Sequence, residues 1–105
     1  MQDITVKELK ELKDTGASFL LIDVREPHEF NTGNIGGKLI PLGTLASALD
    51  DLQEYKDQEV VVHCRSGARS ASAKAFLMQN GFTKVHNLIG GIMAWKAEID
   101  PSVAV

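Results

Sequence analysis

Apolar residues recur three apart at Val6, Leu9 and Leu12, behind a Thr5 and Glu8 pair spaced as in a capping box. This spacing predicts a helix over about 6–14. Thr15-Gly16-Ala17-Ser18 ends it, and Phe19-Leu20-Leu21-Ile22-Asp23-Val24 is a continuous apolar run of the kind buried on both faces of a parallel sheet. Pro27 suits the first position of a helical turn, with Phe30 as its packing anchor. Asn31 to Gly37 reads as loop, and Lys38 to Pro41 as a short strand stopped by proline. Thr44 is placed to cap a helix whose apolar face is Leu45, Leu49 and Leu52. Glu59 to His63 is a strand. Ser70 to Asn80 is a helix with Ala71, Ala75 and Met78, beside Phe76 and Leu77, on its buried side, and Gly81 stops it. Lys84 to Leu88 is a last strand, Met93 to Glu98 a helical turn anchored by Trp95, and 100–105 a frayed tail. Strands alternating with helices predict an α/β fold with a mainly parallel sheet, helices on both faces and a functional site at the carboxyl ends of the strands.

Composition narrows this to one domain: 105 residues, 44% of them hydrophobic, support one core and not two. A net charge of -3 with scattered Lys and Arg gives no footprint for nucleic acid or an anionic membrane. No basic-then-apolar leader and no membrane-length apolar stretch is present. The one cysteine cannot form an internal disulfide, which points to a reduced, cytoplasmic setting and excludes paired-cysteine redox chemistry. His28, His63 and His86 lack metal-ligand spacing, so neither metal nor other cofactor is expected. Nothing in the pattern sets an oligomeric state.

The chemistry concentrates in Val60-Val61-Val62-His63-Cys64-Arg65-Ser66-Gly67-Ala68-Arg69-Ser70. An apolar strand ends in a thiol, then a short polar loop opens into a helix, so loop and first-turn N–H groups converge near Cys64. A free cysteine has a pKa near ~8.5, and a helix N-terminus lowers it by up to about one unit. Two nearby arginines lower it further, toward a value below neutrality. His63 alternates to the face opposite Cys64, which gives weak support to a Cys–His pair. What remains is capture of a group that becomes an anion on sulfur, either a persulfide or a phosphocysteine. Only four residues separate Cys64 from Arg69, and so tight a ring suits a single sulfur atom better than a phosphoryl group.

Three stretches carry a family resemblance: Leu21-Ile22-Asp23-Val24-Arg25-Glu26-Pro27-His28-Glu29-Phe30, the loop Cys64 to Ser70, and Leu88-Ile89-Gly90-Gly91-Ile92-Met93-Ala94-Trp95. Together they resemble a single-domain rhodanese of the thiosulfate sulfurtransferase family, whose phosphatase relatives have one more residue in the loop. Gly33-Asn34-Ile35-Gly36-Gly37-Lys38 departs from the family's usual run there, a local difference in turn geometry. The resemblance implies a rhodanese-like fold with a five-stranded central sheet. It implies Cys64 as nucleophile toward a sulfur donor such as thiosulfate, and Arg65, Ser66, Gly67, Ala68, Arg69 and Ser70 as the substrate cradle. The acceptor it implies is cyanide in assay and a thiol or protein cysteine in the cell. Asp23 and Arg25 are expected to support the loop. Arg69 serves either the substrate or a carboxylate such as Glu26 or Asp23, and Ser70 is the expected cap of its helix. A small phosphatase or arsenate reductase, and a non-catalytic binding module, are the alternatives.

Overall fold

The computed structural model describes residues 3–105. Helix α1 spans Val6–Asp14, strand β1 Leu20–Asp23, helix α2 Pro27–Thr32, strand β2 Lys38–Leu39 and helix α3 Leu45–Ala48. Strand β3 spans Val60–His63, helix α4 Ala68–Gln79, strand β4 Val85–Asn87 and helix α5 Gly91–Glu98. The sheet is wholly parallel in the order β2-β1-β3-β4, with Asp23 opposite His63 and Val62 opposite Asn87. Among the described residues it has four strands and not the expected five. At its β4 edge Ile4 makes only an isolated bridge to Leu88. Pairing stops there because Thr5 already caps α1, accepting from the N–H of Glu8 while Glu8 accepts from that of Thr5.

Period-two alternation along the central strands builds two cores. Ile22, Val60, Val62 and Cys64 pack with Leu45 of α3, Leu52 of the segment that follows it, and Ala73 and Leu77 of α4. Leu21 and Val61 face α1 and α5 with Leu9, Ile92 and Trp95. Trp95 is buried as expected, whereas Phe30 is only half-buried.

Several local expectations are corrected. Thr44 does not cap a helix: its hydroxyl donates to the Pro41 carbonyl, and the run expected to be one helix is α3 followed by a 3-10 segment, Asp50–Tyr55. Helix α4 begins two residues early and turns Ser70, Ala73 and Leu77 inward, which leaves Ala71, Ala75 and Met78 exposed. Residues 100–105, read as a frayed tail, fold back instead. Lys96 Nζ donates to the carbonyls of Pro101 and Val103, and Val103 packs on the α1/α5 core. No helix among the described residues is long and apolar enough to cross a membrane.

Candidate active site

Cys64 follows β3 at the carboxyl edge of the sheet, only 1% exposed. The loop around it is turned inside out by α5. A new helix exposes unpaired N–H groups at its start, and two of these are used here: Ile92 N–H donates to the Cys64 carbonyl and Met93 N–H to that of Arg65, each at 3.0 Å. With these carbonyls facing outward, later N–H groups face the sulfur. Gly67 N–H donates to Cys64 Sγ at 3.1 Å and Ser70 N–H at 3.4 Å. Gly91 makes the close approach possible: at φ +56, a Cβ there would sit 2.5 Å from both carbonyl oxygens.

Gly67, at φ +121, occupies the N-cap position of α4 without a side chain to offer. The role expected of Ser70 is thereby corrected, because Ser70 is the third residue of the helix and fully buried. The acceptor that a capping side chain normally supplies is the Cys64 sulfur, which takes the orphan N–H of Ser70. Burial by itself raises the thiol pKa. The backbone N–H groups of Ser70, Gly67 and Ser66 pull the other way, with the Ser70 hydroxyl 3.4 Å from the sulfur, and the pKa is lowered. Hydrogen bonding, rather than the arginines invoked from the sequence, supplies the principal lowering.

Of the remaining loop residues, Arg65, Ser66 and Ala68 are exposed at the mouth. Arg69 is committed elsewhere. Its Nη1 and Nη2 grip Glu29 Oε1 and Oε2 at 2.6 and 2.9 Å, an orientation in which the fork bonds a carboxylate of α2. The partner is Glu29, not Glu26 or Asp23, and the pairing holds the Glu29 pKa down to about 2.

Asp23 and Arg25 form a second, fully buried pair. Arg25 Nη2 lies 2.7 Å from Asp23 Oδ2 and donates at 2.8 Å to the Gly33 carbonyl, tying the end of β1 to the loop after α2. His63 lies on the same side as Asp23, 3.7 Å from Oδ2, with Nδ1 turned to the Cys64 carbonyl at 3.3 Å. Burial lowers its pKa, against the pull of Asp23. The sequence reading missed Asn87, which sits at the end of β4 opposite Val62 and bonds both Ser70 and Gly67. Its signal was a polar residue ending a strand at the same edge of the sheet as the cysteine.

A family model, the rhodanese-like domain, matches residues 5–98. A sulfurtransferase of Allochromatium vinosum is 44% identical over 86 residues, covering 81% of this chain and 78% of that protein. The probable adenylyltransferase/sulfurtransferase MoeZ of Mycobacterium tuberculosis is 36% identical over 103 residues, covering 97% of this chain. The chain spans about a quarter, 26%, of that longer relative. Among solved structures, the human single-domain sulfurtransferase TSTD1 superposes with a TM-score of 0.80 at 27% identity, covering 91% of this chain and 96% of that one.

Proposed function

Because the chain belongs to the rhodanese-like domain family, we propose that it moves sulfane sulfur from a donor such as thiosulfate to a thiol, through a persulfide on Cys64. The observation that carries this reading is the ring of inward N–H donors, with Gly67 and Ser70 aimed at Sγ. Such donors favour the thiolate that attacks and the anion that forms. In the first half-reaction Sγ bonds to the outer sulfur of thiosulfate, the S–S bond breaks, and its electron pair leaves with sulfite. In the second, an acceptor thiolate attacks that outer sulfur, the Sγ–S bond breaks, and its pair returns to Cys64. Cyanide is the assay acceptor, and a small thiol or protein cysteine the cellular one.

Exposed Arg65 is the cation free to approach the sulfonate of the donor, while Arg69 braces the loop through Glu29. This division of labour replaces the symmetric use of both arginines. Intact mass spectrometry tests the reading. Incubation with thiosulfate is expected to add one sulfur, to be reversed by a thiol and to fail in Cys64→Ser. Release of phosphate from an aryl phosphate with no sulfur gain would instead place the chain among the phosphatases, and neither result would leave a binding module. The reading places the protein in the cytoplasm, with a sulfur donor and a thiol as its partners and no resident cofactor.

A further inference from the structure

The hydroxyl of Ser70 carries one proton and stands near three acceptors. Asn87 Oδ1 is 2.6 Å away, the Gly67 carbonyl 3.2 Å and Cys64 Sγ 3.4 Å. Which of these takes the proton follows from Asn87. The Gly67 carbonyl offers only lone pairs, so the Asn87 atom 3.2 Å from it must be the donating Nδ2. The other arm of the amide, facing Ser70, is then the oxygen. An oxygen cannot donate, so the short 2.6 Å bond uses the proton of Ser70. The backbone of Asn87 is fixed in turn, its N–H donating to Asp3 Oδ1 at 2.9 Å.

We propose that Asn87 is a positioning residue that acts through Ser70: it withholds the hydroxyl proton from the sulfur and so tempers the acidity of Cys64. The sulfur then rests on the N–H groups of the loop, and the oxygen of Ser70 faces it with a lone pair. That arrangement suits a thiol, whose S–H can donate to Ser70, and a persulfide, whose inner sulfur is uncharged. It serves the bare thiolate least, because stabilising that anion through Ser70 requires breaking the bond to Asn87. The side chain of Asn87 thus favours the sulfur-loaded over the empty site, a role that rests on Cys64 being the nucleophile proposed above.

Other charged groups surround the loop without entering this exchange. Arg69 is paired with Glu29, Asp23 with Arg25, His63 faces the Cys64 carbonyl, Arg65 is exposed, and Asp3 lies behind Asn87. They act alike on every variant below and cancel in the comparison.

The test is the pH profile of iodoacetamide alkylation, followed by intact mass, in a chain whose one cysteine reports only this site. Asn87→Ala frees the Ser70 proton to turn to the thiolate, since a charged acceptor outcompetes the Gly67 carbonyl. The midpoint is expected to move down by roughly 0.5 to 1 pH unit. Simple loosening of the loop would move it up. Ser70→Ala is expected to leave the midpoint nearly in place, and in that background Asn87→Ala is expected to have no further effect. A raised midpoint in Ser70→Ala, or an unmoved or raised one in a folded Asn87→Ala, overturns the proposal. Circular dichroism checks the fold, and if Asn87→Ala does not fold, Ser70→Ala decides alone. Sulfur uptake is measured separately on the unaltered chain. Expected pH shifts without sulfur uptake keep the proton placement and remove the transferase reading, whereas uptake with a raised Ser70→Ala midpoint does the reverse.

Discussion

Glu29 is the acid whose titration links the loop to the stability of the fold. Its pKa falls from an ordinary 4.5 to about 2, mainly through the hydrogen bonds from Arg69, so the ionised form is favoured in the folded chain. The sign follows by linkage: the contribution is complete above about 4.5 and is lost as pH falls toward 2. The Arg69 side chain is 37% exposed, so solvent screens the pair and holds it to about 1 kcal/mol. Urea titrations of Glu29→Gln and the unaltered chain are expected to differ by about that amount at neutral pH and to converge only as pH falls to about 2 and below. A gap that persists in acid would assign the effect to packing. Cys64 and its loop were legible because their chemistry lies in consecutive residues. Glu29 was not, because 40 residues separate it from Arg69 and only the placement of α2 selects it over Glu26.

Among the elements, the start of α5 does as much for the site as the loop itself. Its first N–H groups hold the loop carbonyls outward, and Gly91 permits the contact. Gly91→Ala is expected to cost ~1–3 kcal/mol and to abolish sulfur loading, read by urea midpoint and intact mass. Gly16→Ala is the control. It shares a positive φ, +70, but has nothing within 4 Å of its added Cβ, so it bears only the backbone cost of about 1–2 kcal/mol and loads sulfur normally. Equal loss of loading in both would remove the clash as the cause. The sequence pattern reads a helical turn from Met93, two residues after α5 begins at Gly91, and could not say what its start touches. The same limit explains α4: periodicity supports several faces of an alanine-rich helix, and the sulfur's hold on Ser70 chooses one.

Across the whole molecule, order rises toward β3, which is buried at every residue and paired on both sides. Its amides are expected to exchange with solvent only on global unfolding, while the two-residue edge strand β2 exchanges sooner. Native-state hydrogen exchange with β2 as slow as β3 would contradict this gradient. By itself the sequence determined the α/β alternation, the four strand segments, most helix spans to within a few residues and the position of the thiol just ahead of a helix start. Each of these depends on neighbours in the chain, through periodicity, capping and turn chemistry. Tertiary structure alone decided that Ile4 adds only an isolated bridge at the β4 edge, that Arg69 belongs to Glu29, and that α5 and Asn87 orient the ring around the sulfur. These outcomes depend on the direction of single N–H, C=O and amide groups brought together from distant segments, and hydropathy carries no record of direction.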